Sequence, residues 1–141
     1  MKVYNMFFIV IVFAACATQF ASDVYAPCLP AIAHDLNTSI KMAGWSMSIY
    51  MVGVAITHLI YGPLSEGIGR KIPMVVGLII MVIGSLICVF ATSIETIIIG
   101  RFVQGCGAGA CATLCRSVLR DSFSGEDLAN YGSYMVILIM F

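Results

Sequence analysis

The chain has 141 residues, of which 61% are hydrophobic and only 10% are charged, and its mean hydropathy is +1.04. Soluble domains carry about a quarter charged residues, so this composition excludes a water-soluble globule, and its hydrophobicity excludes intrinsic disorder. Seven Lys and Arg residues balance seven Asp and Glu residues, which leaves no basic surface for nucleic acid. The chain is therefore expected to be an integral membrane protein in contact with lipid.

Long runs with few charges mark the membrane-spanning segments. A helix rises 1.5 Å per residue, so about 20 apolar residues cross a hydrocarbon core of about 30 Å. This length predicts an all-α, polytopic fold with four transmembrane helices, at about 4–30, 43–64, 73–93 and 96–116. A fifth apolar run at 129–141 covers only about 20 Å and is predicted to be a truncated fifth helix. Residues 1–141 are accordingly expected to be part of a longer membrane domain.

The positive charges predict the orientation of these helices. With a cytoplasmic N-terminus, the only Lys or Arg in the outer segments is Lys41. The inner segments then hold Lys2, Arg70, Lys71, Arg116 and Arg120. The positive-inside rule therefore favours a cytoplasmic N-terminus. A cleaved signal peptide ending before Cys16 is the competing interpretation of the first run, and it is disfavoured because the apolar stretch continues past that residue.

The cysteines are interpreted as small apolar packing residues, since most of the six lie inside apolar runs. On a helix, the spacing of Cys106, Cys111 and Cys115 spreads the three sulfurs around the axis, so no metal site is predicted. No cofactor is expected. His58, alone among apolar residues in the second span, is interpreted as a packed, neutral side chain.

Two charged residues fall within the predicted spans, where the hydrocarbon core makes a charged side chain energetically unfavourable. Asp23 lies late in the first span and Arg101 lies early in the fourth, so antiparallel helices would place both in the same half of the membrane. Each costs about 3 kcal/mol near the bilayer centre, and such residues are functional candidates. A charge-assisted pair between them, broken when the carboxylate binds a proton, would couple protons to another process. The alternatives are a structural ion pair or an Asp23 exposed at the outer interface.

The fourth span is rich in small residues. Gly105 and Gly109 form a small-xxx-small pair that predicts close approach of another helix. Gln104, about one turn from Arg101, is expected to hydrogen-bond with it or with a ligand. A nucleotide-binding loop is rejected here, because no strand precedes the glycines.

Residues 62–73 are predicted to be the turn between the second and third spans. Glycines permit a tight reversal, and the prolines are typical of helix ends. Arg70 and Lys71 would anchor this turn in the cytoplasm.

Three segments resemble signatures of the major facilitator superfamily. Residues 62–71 are similar to its loop signature, G-x-L-(A/S)-D-R-x-G-R-(R/K), and residues 97–108 to its fourth-helix signature, L-x-x-x-R-x-x-Q-G-x-G-A. Residues 23–30 resemble the end of the first helix in Bcr/CflA-type drug:proton antiporters. The three signatures occur in the family's order, on the elements where the family has them.

The resemblance implies an N-terminal piece of a transporter built from two six-helix halves, with a multi-pass position in the bacterial inner membrane. It implies exchange of protons for small drug-like compounds, no enzymatic reaction, and a missing C-terminal half as partner. First and fourth helices line the family's central cavity, which implies cavity positions for Asp23, Arg101, Gln104 and Tyr25. The loop residues implied to gate this cavity are Gly62, Glu66, Gly69, Arg70 and Lys71.

The sequence departs from the family pattern at two loop positions and leaves other functions open. Glu66 replaces the usual Asp and Gly67 the following Arg, which puts the gating contacts in doubt but not the topology. An uptake symporter would share every signature. A non-transporting, truncated membrane protein fits the missing helices. A four-helix small multidrug-resistance protein fits the number of spans, but the essential glutamate that it carries deep in its first helix is absent.

Overall fold

The computed structural model describes residues 13, 15–69, 71–122, 125, 132 and 133. Between residues 15 and 122 the described chain forms helices and short connections, with no strand. The all-α prediction is confirmed. The helices are α1 (15–23), α2 (Tyr25–Asp35), α3 (Ile40–Ile68), α4 (Lys71–Val89) and α5 (Ile94–Ser122).

Among the described residues, three of these helices are long and apolar enough to cross a membrane. The segments are Ile40–Ser65, Lys71–Val89 and Ile94–Val118, which correspond to the second, third and fourth predicted spans. The beginning of the first predicted span, and almost all of the stub at 129–141, lie outside the described residues. The structure thus describes the centre of the predicted bundle.

The first predicted span, expected to end near residue 30, extends as helix to Asp35, with its hydrogen-bond pattern interrupted at Val24, whose backbone keeps helical angles (φ −67°, ψ −26°). The Val24 backbone N–H still donates to the Phe20 carbonyl at 3.1 Å, so the chain keeps its direction. Pro27 has no N–H, which leaves the Asp23 carbonyl without its usual helical partner. The break therefore lies directly beside the acidic residue singled out by the sequence.

The end of α2 is fixed by a Schellman motif rather than by proline. Asn37 adopts a positive φ of 47°, its N–H donates to the His34 carbonyl at 3.1 Å, and the Thr38 N–H donates to the Ala33 carbonyl at 2.9 Å. Ser39 then caps α3 by accepting a hydrogen bond from the Met42 N–H at 3.3 Å. This tight connection starts α3 earlier than the predicted residue 43.

The turn predicted over residues 62–73 is much shorter in the structure, and that prediction was wrong in extent. Gly62 and Pro63 lie inside α3, which ends at Ile68, and Lys71 already begins α4. Gly69 reverses the chain with a φ of 85°, a conformation that suits glycine. Pro63 has no N–H to donate to the carbonyl four residues earlier, and the Ser65 hydroxyl donates to the Gly62 carbonyl at 2.9 Å. Arg70 and the side chain of Glu66 lie outside the described residues.

The central helix of the described bundle is α5, which packs against both α3 and α4 while these two barely touch. Small residues on α5 permit this packing. A Cβ added to Gly109 would lie 2.6 Å from the Val54 carbonyl oxygen, and one added to Gly105 would overlap the Tyr50 carbonyl. Backbone therefore packs directly on backbone along the α3–α5 contact, as in other small-residue membrane interfaces.

Candidate functional site around Arg101

Arg101 is the most buried charged side chain of the described residues, with 3% of its surface exposed. One of its terminal nitrogens, Nη1, donates to the Ala21 carbonyl of α1 at 3.2 Å and to Gln104 Oε1 at 2.8 Å. The hydrogen bond expected between Arg101 and Gln104 is therefore present. The Nε atom is buried without a hydrogen-bond partner among the described residues. The guanidinium thus links α5 to the α1 backbone, while its Nε–H has no partner among the described residues.

Two tyrosine rings surround the guanidinium. Its central carbon lies 3.2 Å from the centroid of the Tyr25 ring and 5.5 Å from that of Tyr50. The Tyr25 hydroxyl is 2.6 Å from Ser46 Oγ on α3, and the Tyr50 hydroxyl donates to the Thr18 carbonyl of α1 at 3.4 Å. A desolvated cation on an aromatic face gains about 2 kcal/mol. The rings therefore stabilise Arg101, and their hydroxyls attach the same cluster to α1 and α3.

Gln104 extends the polar cluster to α4. Its Nε2 donates to Ser85 Oγ at 2.9 Å, and the Ser85 hydroxyl donates to the Met81 carbonyl at 2.9 Å. The close passage of α4 at this level depends on Gly84, where an added Cβ would lie 2.7 Å from the Gln104 Cα. A chain of hydrogen bonds therefore runs from α1 through Arg101 and Gln104 to α4.

Asp23 is not part of this cluster, so the ion pair expected between Asp23 and Arg101 is not formed in this structure. The Asp23 side chain is exposed and accepts hydrogen bonds from Gln19 Nε2, one turn earlier, at 3.3 and 3.4 Å. Residues two apart on a helix point about 200° apart. Because Tyr25 faces Arg101, Asp23 is turned to the other side of the helix. This arrangement agrees with the alternative, stated above, that the Asp23 side chain is exposed.

The positive charge of Arg101 is consequently not neutralised by a carboxylate of the described residues. The ion pair between His34 and Asp35, an exposed contact of 3.4 Å at the end of α2, does not involve Arg101. Taking a charge out of water costs several kcal/mol. This cost exceeds the stabilisation that a single cation–π contact provides. Arg101 therefore lies in a site that favours an additional anionic partner.

A cavity of about 330 Å³ adjoins this cluster and is lined by residues of α1, α2, α4 and α5. Tyr25, Arg101, Gln104 and Ser85 supply its polar wall, and residues such as Phe20 and Val89 supply its apolar wall. Asp23 does not line it. Phe20 and Val89 are themselves largely exposed, so this cavity is an open groove on the surface of the described bundle. No group of three or more His, Cys, Asp or Glu among the described residues is placed to hold a metal ion.

Sequence reasoning missed three residues of the cluster, namely Ser46, Tyr50 and Ser85. Ser46 and Tyr50 are four residues apart, so they lie on one face of α3, and both are buried. Ser85 is a hydroxyl in the very apolar helix α4. Buried polar residues in apolar membrane helices were the available signal, although the sequence did not indicate which helices they would join.

Residues 11–141 match the family model described as "Major Facilitator Superfamily". The chain belongs to this superfamily. The arginine–glutamine pair of its fourth-helix signature is the hydrogen-bonded Arg101–Gln104 pair described above, and the membrane character predicted from composition is confirmed.

Several curated relatives are similar to most of the chain. It is 34% identical over 116 residues to "Uncharacterized MFS-type transporter YdgK" of Bacillus subtilis, covering 82% of this chain and 29% of the relative. It is 40% identical over 106 residues to "Multidrug resistance protein MdtL" of Vibrio parahaemolyticus, covering 75% and 27%. A protein of the same name from Klebsiella pneumoniae is 38% identical over 100 residues, covering 71% and 26%. The chain thus spans between a quarter and a third of the length of these relatives.

Proposed function

We propose that this chain forms part of the N-terminal half of a multidrug efflux transporter that exchanges protons for small amphipathic or cationic compounds. Membership of the superfamily and similarity to proteins named for multidrug resistance support this function. The partner would be a C-terminal half, against which this half rocks around a shared site. The location would be the bacterial inner membrane, with the N-terminus in the cytoplasm, because the loop positive charges favour that orientation. The proposed activity is transport and involves no enzymatic reaction.

The observation that carries the proposal is a buried guanidinium without a carboxylate, close to an acid at a helix break. Arg101 rests on Tyr25, and Asp23 lies two residues earlier on the opposite face. In the proposed cycle, rotation at Val24 brings the ionised Asp23 to Arg101, where a charge-assisted pair replaces the aromatic contact. Protonation of Asp23 removes that attraction and returns Arg101 to Tyr25. Only the carboxylate changes its charge, because arginine keeps its proton.

The residues divide into two proposed groups. Asp23, Arg101, Gln104 and Tyr25 would couple protons to substrate movement. Gly62, Glu66, Gly69, Arg70 and Lys71 would form the contact that gates the cavity against the other half, as the family resemblance implies. In that contact a carboxylate at Glu66 would be favoured by the positive end of a helix dipole.

Proton release on substrate binding tests the coupling role of Asp23. The full-length transporter, purified in detergent, is mixed with ethidium in weakly buffered solution containing a pH-sensitive dye. Wild-type protein should release protons, and Asp23→Asn should not, because the amide has no proton to exchange. Asp35→Asn is the matched control, since Asp35 is a second acid on the same pair of helices, 78% exposed and paired with His34. Equal release from Asp23→Asn and wild type would place the coupling acid elsewhere.

Transport direction is tested separately in everted membrane vesicles with an acidic interior. Antiport predicts that ethidium enters the vesicles as protons leave them. Accumulation driven by the opposite gradient would indicate a symporter. In either case Asp23→Asn should lose proton-driven ethidium accumulation. The variant should still insert into the membrane, because Asp and Asn have nearly the same shape.

A further inference from the structure

A second polar cavity lies on the other side of α1 from the cavity beside Tyr25. It measures about 160 Å³ and is a partly open cleft lined by α1, α3 and α5. We call it the His58 cleft. Its polar lining consists of Thr18, Gln19, Ser22, Tyr50, His58 and Arg116. Tyr50 is shared with the Arg101 cluster and Gln19 bonds to Asp23, but none of these side chains was assigned a coupling role above.

One ring nitrogen in this cleft lacks a protein partner. His58 Nε2 is buried and makes no hydrogen bond with the described residues. A buried polar atom left without a partner costs about 1–3 kcal/mol, and such atoms in proteins are normally satisfied by protein or water. The cleft is polar and has room for several water molecules, at about 30 Å³ each. Water in the cleft is therefore the partner that this nitrogen would meet if the ring turned toward the cleft.

The cleft runs along the bundle axis between two distinct environments. At one end Gln19 lines it, and the same Gln19 amide donates to the Asp23 carboxylate. At the other end lies Arg116, an exposed residue two positions before the end of the apolar segment Ile94–Val118. His58 lies between them, about 10 Å of helix from Ser65, where the apolar part of α3 ends. This second end is the one that carries the Gly69 turn.

We propose that the His58 cleft is filled with water continuous with the Gly69 side of the membrane, and that His58 exchanges protons with that water. Histidine is suited to this role because its charge changes near neutral pH. The ionisable groups facing His58 are Arg116 from α5 and the Tyr50 phenol from α3, while α1 contributes only neutral side chains to the lining. The nearest carboxylate along α1 is Asp23, one hydrogen bond beyond Gln19.

This placement adds a route to the proposed function and rests on it for its biological role. A proton that leaves the exposed Asp23 carboxyl group would pass to the water around it, leave a carboxylate, and reach the cleft past the Gln19 side chain. His58 Nε2 would accept it, forming an imidazolium, and would return it to water at the Gly69 end. No bond other than the transferred O–H and N–H bonds changes. Hydration of the cleft itself does not depend on transport.

Exchange of the imidazole C2 hydrogen for deuterium tests the proposal on the unmodified chain in lipid nanodiscs. This exchange requires a protonated ring in contact with water and is read by mass spectrometry after proteolysis. The control is the only other histidine in the sequence, His34, which is 90% exposed. His58 should exchange at a rate comparable to that of His34, with a sigmoidal dependence on pH. Absence of exchange at His58 would contradict the proposed hydration of the cleft. An exchange rate that does not change with pH would contradict the proposed role of His58 as a proton acceptor.

Thiol accessibility gives an independent measurement. In a background with the six native cysteines replaced, Val54→Cys places a thiol in the cleft, whereas Ile56→Cys, two residues later on α3, places one on an exposed apolar face. Gly67→Cys marks the Gly69 side. A charged, membrane-impermeant thiol reagent added on that side should modify positions 54 and 67 but not 56. Equal protection of positions 54 and 56 would show a dry cleft. Neither measurement uses substrate or a gradient, so failure here is distinct from failure of the efflux proposal.

Discussion

The guanidinium carbon of Arg101 lies 3.2 Å from the centroid of the Tyr25 ring. This contact determines which side of the first helix faces α5. Tyr25 and Asp23 point about 200° apart, so a straight helix presents one of them to Arg101 and turns the other away. The interruption of the helical hydrogen-bond pattern at Val24 lies between the two residues, and exchanging them at Arg101 would require a rotation of roughly 160° about the helix axis. The Arg101–Tyr25 contact must therefore break before an Asp23–Arg101 pair can form.

Tyr25 is expected to contribute to stability through both its ring and its hydroxyl. Tyr25→Leu removes the aromatic face and should lower the free energy of unfolding by about 2 kcal/mol. Tyr25→Phe keeps the face but loses the hydrogen bond to Ser46, at about 1 kcal/mol. Unfolding in mixed detergent and SDS, followed by circular dichroism, measures both. Phe90→Leu, at a 78% exposed aromatic, should change little, and an equal loss there would assign the effect to general hydrophobicity.

Arg101→Lys tests whether the planar guanidinium itself is required. A lysine ammonium can still donate hydrogen bonds, but it does not stack as a plane on the Tyr25 ring. In a double-mutant cycle with Tyr25→Leu, the two residues should show a coupling energy of about 1–2 kcal/mol. Additive losses would mean that the short contact contributes nothing to stability. In the full-length transporter, Arg101→Lys should also impair proton-driven efflux.

Gly109 should not tolerate a side chain. In Gly109→Ala the new Cβ would lie 2.6 Å from the Val54 carbonyl oxygen and overlap Thr57 Oγ1, and overpacking of this kind costs about 1–3 kcal/mol. Gly62→Ala is the matched control, because Gly62 also lies within a helix but nothing is within 4 Å of an added Cβ. That variant should be neutral or more stable by up to about 1 kcal/mol. Similar losses at both positions would contradict the packing role.

The two ends of α3 should lie on opposite sides of the membrane. The helix has 29 residues, about 43 Å, which exceeds the hydrocarbon thickness. In the cysteine-free background, an impermeant maleimide added to intact cells should label His34→Cys directly. Gly67→Cys should react only after permeabilisation. The reverse pattern would overturn the proposed cytoplasmic N-terminus.

Features that depend on neighbours along the chain could be predicted from the sequence. The membrane segments follow from hydrophobicity and from the fixed rise of a helix. The Arg101–Gln104 hydrogen bond follows from i, i+3 spacing on one helix. The α3–α4 connection was less predictable, because the signals at Gly62 and Pro63 are equally compatible with a turn and with a helix that continues through them.

Only the tertiary structure decided the partners of Arg101. Sequence placed Asp23 and Arg101 at similar depth and suggested that they pair, yet Tyr25 faces the guanidinium and Asp23 is exposed. Depth follows from counting residues, whereas rotation of a helix about its axis depends on packing against helices far away in sequence. For the same reason the sequence did not predict that Ser46 on α3 and Ser85 on α4 belong to the site. The chemistry of the individual side chains is local, but their convergence on one guanidinium is a property of the packed bundle.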